Sequence, residues 1–325
     1  MTQIRTQLSE ASQAGPLRIT AGWLHKLGKF GLRAGRSIAF RSGNLVGRVR
    51  LVKRNVIFPI RNALLRHKPL RVQADGLSYF LSPEGAIPLE MWSRRYFERH
   101  ELDFIVGALQ PGMTFIDIGA NVGLFSIPAA KKVKHGKVYA FEPSAWTVEI
   151  LAKNAGLNSA SNLETVRSAV GDYTGEATLQ INVAGKDGLN TIGKPVHEDS
   201  EIAGTEKVPI TTLDGFLRRR SISRVDVMKV DVEGAELMVF RGASDLLSKP
   251  TAPLILYEGG FLSKGFGYHP VETMWMLQGL GYSFFVIDSK TGQISIPAAD
   301  RAYDAMVIAV KTSHPLYPAV KGMAR

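Results

Sequence analysis

The chain has 325 residues, 45% hydrophobic and 21% charged, with 40 Lys and Arg against 29 Asp and Glu and no cysteine. Its length suits one large domain or two smaller ones, and its apolar content is that of a globular protein rather than a disordered one. Without cysteine there is no disulfide scaffold, no thiolate metal site and no Cys nucleophile, and no apolar run is long enough to span a bilayer as a helix.

The charge is unevenly placed. Residues 1–72 hold fifteen of the basic residues and one acid, Glu10, a balance of +14, while the other 253 residues balance at −3. The basic character belongs to an N-terminal extension, and the body lacks the electrostatic footprint of a DNA-binding protein. Within the extension, residues 1–16 are small and polar, a composition that predicts disorder. Trp23, Leu27, Phe30, Ala34 and Ile38 then recur at three- and four-residue steps, which predicts an amphipathic helix flanked by Lys26, Lys29, Arg33 and Arg36. Leu45 to Leu65 is apolar and basic again and is interrupted by Pro59. Three covers for the stripe stand open: the body, a second subunit in a homodimer, or an anionic membrane surface. The Arg-rich, acid-poor start also resembles an organellar transit segment, and no apolar core of a secretory signal occurs in the first 20 residues. The expected location is cytoplasmic, at a membrane periphery if lipid covers the stripe.

A lead-in strand and helices are expected over 73–111, an α/β domain over 112–312 and a tail over 313–325. Seven strands are expected after residue 110: Met113–Ile118, Lys137–Glu142, Leu163–Val170, Val225–Asp231, Pro253–Glu258, Tyr282–Asp288 and Tyr303–Lys311. Helices are expected at Leu124–Lys132, Ala145–Ala155 and Ala235–Leu247. Alternating strand and helix argues a parallel sheet covered on both faces, and a last pair without a crossover helix argues an antiparallel hairpin. Glu176–Asn182 and Lys207–Thr211 look like extra strands around a Gly-rich loop, Gly185–Gly193, an insertion near the active face.

In such a sheet, ligands sit beyond the C-terminal strand ends. The first strand of this series runs into Asp117-Ile118-Gly119-Ala120-Asn121-Val122-Gly123, a glycine turn ahead of a helix N-terminus. This is GxxxG rather than the GxGxxG of dinucleotide binders, which argues against an NAD-dependent dehydrogenase. An acid at the strand end suits a cationic amino group such as the ammonium of a methionine moiety. Glu142 ends the next strand, 25 residues after Asp117, where a ribose-binding acid belongs. The fourth strand ends Lys229-Val230-Asp231-Val232-Glu233. A lysine inside a central strand needs a carboxylate beside it. Asp231 and Glu233 could cap the following helix or serve as general bases or substrate anchors, and Glu258, ending the fifth strand, points to the same face. His269, in a loop beyond it, is a further candidate.

With these residues in view, the chain resembles the FkbM family of S-adenosylmethionine-dependent methyltransferases. The resemblance runs from about Gly112 to Val310 through FIDIGANVGLFS, KVYAFEPS, SAVGD, VPITTLDGFL and MKVDVEGAELMVFRGA. It implies a class I methyltransferase fold, a Rossmann-like seven-stranded sheet whose last strand is antiparallel. It also implies O-methylation of a hydroxyl on a sugar, glycolipid or natural-product acceptor. By the same resemblance, Asp117, Gly119, Ala120, Asn121 and Gly123 would line the methionine end of the cofactor. Glu142 would hold the ribose with Pro143 and Ser144 beside it, and Ser168, Ala169 and Val170 would border the adenine. Asp231, Glu233 and Glu258 would face the methyl group, with Lys229 orienting the base. Thr212 and Asp214 would begin a helix. Many relatives carry a histidine after the acid that ends the fifth strand; here Gly259 and Gly260 follow Glu258, so His269 or a carboxylate would be the base. The carboxylates permit a divalent metal, and metal-free transfer is equally consistent. An RNA 2′-O-methyltransferase and a non-catalytic cofactor-binding protein are the competing readings.

Overall fold

The computed structural model describes residues 52–58, 60–61, 69–82, 86–94, 96–183, 186–297 and 305–324. The chain divides into two compact units, Met1–Leu64 and Leu65–Arg325. In the first, a π-helical turn covers Lys53–Ile57; the amphipathic stripe from Trp23 to Ile38 lies outside the described residues. The second unit begins earlier than charge suggests, because β1 (Leu70–Ala74) already pairs with β2 (Leu77–Leu81) ahead of residue 73.

Two helices follow, α1 (Ala86–Arg94) and α2 (Arg99–Ala108), and then the main sheet opens with β3 (Thr114–Ile118). The next elements are α3 (Ser126–Val133), β4 (Lys137–Phe141), α4 (Ala145–Leu157) and β5 (Leu163–Val166). Further on come β9 (Val227–Val230), β10 (Leu254–Gly259), α8 (Val271–Gly279), β11 (Tyr282–Ile287), β12 (Ile294–Ser295) and β13 (Ala305–Lys311). The sheet order is β12-β11-β13-β10-β9-β3-β4-β5. Strands β10, β9, β3, β4 and β5 are parallel neighbours, and β13 runs antiparallel between β10 and β11. This is the expected mostly parallel α/β sheet with its last long strand antiparallel. The short β12 makes it eight strands rather than seven. The central strands are buried on both faces, with Ile116, Ile118, Met228, Val230, Ile255 and Tyr257 in one core with Val239, Phe240 and Leu277. Their β-branched and large apolar residues suit such a doubly covered position. Among the described residues, no helix is long and apolar enough to cross a membrane.

Two expected elements are broken. Leu163–Val170 is not one strand: β5 ends at Val166, and β6 (Ala169–Val170) crosses to a second, three-stranded sheet. There it pairs with β8 (Ile202–Thr211), which also pairs with β7 (Gly175–Asn182). A separate small core of Ala169, Ala177, Leu179, Val208 and Ile210 draws β6 away from the main sheet. The helix expected over Ala235–Leu247 is likewise two, α6 (Glu236–Arg241) and α7 (Ser244–Ser248). At the break, Gly242 lies so close to the Gly171 carbonyl that a Cβ would come within 1.9 Å of its oxygen. Asp214 completes the break by accepting from the backbone N–H groups of Asp245 and Leu246, and Thr212 caps α5 (Leu213–Arg219) through Gly215 N–H. The C-terminal residues are part of the body: α9 (Tyr317–Met323) buries Val320, and Ala324 bridges to Ile294.

One buried side chain fastens the lead-in to the body. Asn154 of α4 accepts from Phe80 N–H (2.6 Å) and donates to Phe80 O (3.1 Å) and Val122 O (2.9 Å). Asn158, one turn on, treats Ser78 in the same way. The edge of β2 is thus satisfied by two amides instead of another strand. Asn154→Ala strands a buried N–H and two carbonyls, so unfolding in urea should show a loss of about 2–4 kcal/mol; a loss below about 1 kcal/mol would deny the amide this bridging role.

Candidate active site

The C-terminal strand ends open onto one cavity of about 640 Å³, within the size range of small-molecule sites. Across the sheet, Glu142 follows β4, Gly119 follows β3, Asp231 follows β9, and Glu258 is the penultimate residue of β10. Neighbouring strands lie about 4.8 Å apart, so these positions form a row from Glu142 to Glu258.

The glycine turn is forced by contact. Gly119 has φ +80°, and a Cβ there would sit 1.7 Å from the Asp231 carbonyl oxygen. Only glycine lets the turn after β3 close against the end of β9. Glu142 holds the next turn: its carboxylate accepts from Asn121 N–H (3.1 Å) and Ser144 N–H (3.0 Å) while lining the cavity.

Lys229 is 2% exposed, and its ammonium donates to Asp231 Oδ2 at 2.8 Å beside the Phe125 ring. Burial alone would lower its pKa, yet Asp231, Asp117 and Glu98 outweigh burial and raise it. Asp231, Glu233 and Glu258 bring one oxygen each within 4.8 Å of one another, a spacing that could hold a cation. Burial, with the charge of Asp231 next, pushes Glu233 up to about 9 and Glu258 well above the usual carboxylate range. Glu233 also holds a left-handed backbone, φ 56°.

Most of the expected site residues meet at this cavity: Gly119, Ala120, Asn121, Glu142, Pro143, Ser168, Ala169, Val170, Lys229, Asp231, Glu233 and Glu258 all line it. Asp117, Gly123 and Ser144 stand behind its wall. Asp117 is fully buried and accepts from the Ser126 hydroxyl at 2.5 Å. A Cβ on Gly123 would come within 2.6 Å of Leu151, so that glycine serves packing. The Ser144 hydroxyl caps α4 through Thr147 N–H.

Two expectations change. Asp231 and Glu233 do not cap α6, whose N-cap is Ala235; Glu236 fastens the turn instead, accepting from Val232 and Gly234 N–H. His269 is exposed and off the cavity wall, its Nδ1 accepting from Val271 N–H at the start of α8. A different histidine lines the cavity. His197 lies on the insertion between β7 and β8, stacked on Phe261, with Nδ1 accepting from Asp199 N–H. Residues 186 and 188–192 of that insertion line the cavity too, as its reading near the active face implies. Glu98, ahead of α2, is a further acid on the wall that no motif signals.

A strand-end cavity with a glycine turn, an acid one strand over and carboxylates beyond it is the site of an S-adenosylmethionine-dependent methyltransferase. The residues fit that cofactor: Glu142 lines the cavity with a carboxylate, and Gly119 and Ala120 line it beside β3 with little or no side chain. The chain belongs to the FkbM methyltransferase family, whose domain profile matches residues 117–284, just over half of the chain. Methyltransferase sdnD of Sordaria araneosa is 29% identical over 54% of this chain and 76% of its own length. The 31-O-demethyl-FK506 methyltransferase FkbM of Streptomyces tacrolimicus is 27% identical over 48% of this chain and 67% of its own. Among solved structures, M. jannaschii TYW2 in complex with AdoMet matches at a TM-score of 0.37 and 15% identity, covering 74% of this chain and 84% of that one, too remote to bear on function.

Glu236 gives the site a pH signature. Burial raises it to about 7 from an ordinary 4.5. Between those values the folded state keeps a proton that the unfolded chain has released, so this group costs stability as pH rises. Glu236→Gln keeps an oxygen for the two N–H donors and cannot ionise. Relative to the parent it should gain about 1–3 kcal/mol between about pH 5 and pH 8 in urea unfolding. A pH-independent difference would show that Glu236 does not titrate in this range.

Proposed function

We propose that the protein methylates a hydroxyl of a small-molecule or glycan acceptor, with Asp231 as the proton acceptor. The observation that supports this reading most is the difference in surroundings among the acids at the strand ends. Asp231 holds the buried Lys229 ammonium at 2.8 Å, whereas Glu233 and Glu258 are pushed toward their protonated forms. Carboxyl groups with such separated environments serve as base and as hydrogen-bond donors respectively. S-adenosylmethionine, when bound, supplies an electrophilic methyl carbon and a good leaving group. The chain's own work is then to orient a hydroxyl and take its proton late in the transfer.

Glu233 and Glu258 would donate to the acceptor's oxygens, and Asp231 would receive the hydroxyl proton. Lys229 would hold the Asp231 carboxylate in place. The insertion that carries Lys186, Asn190, Thr191 and His197 would shape the acceptor side of the cavity. It is anchored well enough to do so, since Thr191 Oγ1 donates to Glu233 O at 3.2 Å and Lys194 N–H donates to Gly265 O at 3.1 Å. Transfer to oxygen is supported by the relative from Streptomyces tacrolimicus, whose name specifies a 31-O position. By the resemblance to the family's motifs, Glu142 would take the ribose hydroxyls, and Ser168, Ala169 and Val170 would border the adenine.

A methyl-transfer screen over sugar, glycolipid and small-molecule alcohols should return an O-methyl product. On that acceptor, Asp231→Asn should lower kcat by about 10²–10⁴-fold, the scale of general-base catalysis, with little change in cofactor affinity. A variant that keeps full kcat would show that the proton leaves by another route. Products methylated only on nitrogen or carbon would overturn the hydroxyl reading.

A further inference from the structure

The cavity contains an acid contributed by the lead-in, outside the span that the family profile matches. Glu98 stands at the N-cap of α2 with φ 46° and ψ 54°, and its side chain makes no capping bond. Non-glycine residues seldom adopt this left-handed backbone, and they cluster where a site imposes it. Glu98, Asn121 and Glu233 all have positive φ and all line this cavity. Among the described residues, no hydrogen-bond donor reaches the Glu98 carboxyl.

The charged groups that act on Glu98 include Asp231, Lys229, Glu101 and Asp117, and Glu98 in turn acts on Glu233 and Glu258. They come from β3, from β9 and the turn after it, from β10 and from α2 itself, which sets Glu98 near the ends of β3, β9 and β10. The single cation among them, Lys229, is already bound to Asp231. Burial, with the charge of Asp231 next, pushes Glu98 up to about 8 against the opposing pull of Lys229.

The sequence offers Asp117 for the ammonium of the methionine moiety. Asp117 has no access to the cavity: it is fully buried, and one oxygen is taken up by the Ser126 hydroxyl. Glu233 and Glu258 are gathered about Asp231. We propose that Glu98 receives the α-ammonium of the methionine moiety of S-adenosylmethionine. This rests on the cavity's being the cofactor site with the ribose at Glu142. Glu142 follows β4, beside β3 and two strands from β9, so a ligand laid along the strand ends from the ribose reaches the β3–β9 region with its amino-acid end.

Two ligands separate the possibilities in calorimetry on the full chain. One is S-adenosylmethionine; the other is 5′-methylthioadenosine, which keeps the adenine and ribose and lacks the amino acid. Glu98→Gln should weaken S-adenosylmethionine by about tenfold or more while changing methylthioadenosine by less than about twofold, and Glu142→Ala should weaken both. Retained methylthioadenosine binding shows at once that the Glu98→Gln protein is folded. Equal losses for both ligands would make Glu98 structural, and no loss for either would remove it from the site; each result overturns the proposal. Should the parent protein bind neither ligand, the reading of the cavity as the cofactor site fails instead.

Discussion

An ammonium buried inside the central strand is the constraint on which the site depends. Desolvating Lys229 costs several kcal/mol unless carboxylates stand close to it. The fold brings Asp231 to 2.8 Å, and Asp117 and Glu98 near enough to act on the charge. That requirement ties the two central strand ends together. Asp231 must stay beside Lys229, and its carbonyl then fills the space where residue 119 would carry a Cβ. The glycine turn of the cofactor motif and the lysine of the β9 strand are therefore one packing solution. Among the described residues, Lys229 is the lysine that acts on the other strand-end acids, and it is already bonded to Asp231. Burial raises Glu233, Glu236, Glu258 and Glu98 above the ordinary carboxylate range.

The lead-in closes this arrangement from outside the family's matched region. Asn154 joins the edge of β2 to the carbonyl of Val122 within the cofactor turn, so the hairpin and the turn are held by one amide. The chain leaving β2 then supplies cavity wall at Leu81, Ser82 and Ala86, and the turn into α2 supplies Glu98. On the far side, the insertion between β7 and β8 is pinned to Glu233 and Gly265. Of the two walls that flank the strand ends, one comes from before the matched span and the other from within it. On the proposed reading, the first would reach the cofactor and the second would shape the acceptor side.

The parallel core was legible because its strands are short apolar runs, and β3, β4, β9 and β10 each place a cavity-lining residue at or just beyond the C-terminal end. The need of Lys229 for a carboxylate was readable from period two alone, since Lys229 and Asp231 share a strand side. What escaped was whatever depends on contacts distant in sequence. The break at Val166 and Ala169 follows from a second small core that local pattern does not encode. The helix after β9 is split by Gly242 meeting Gly171, 71 residues earlier. Glu98 left no trace, because a glutamate ahead of an ordinary helix reads as a solvated charge, and only its left-handed backbone turns it inward. His197 was hidden for the same reason, in an insertion with no periodicity. Asp117 shows the converse: it sits in the motif where a ligand contact is expected, and the fold uses it behind the wall.

The central claim, that the buried Lys229 charge organises the strand-end acids, is tested most directly by the unfolding free energy of Lys229→Met at about pH 8. Methionine fills similar apolar space and leaves Asp231 and Asp117 without their cation. The expected loss is about 3–5 kcal/mol, the scale for removing one partner of a buried ion pair. A variant as stable as the parent would contradict the claim, because the acids would then need no lysine to hold them together.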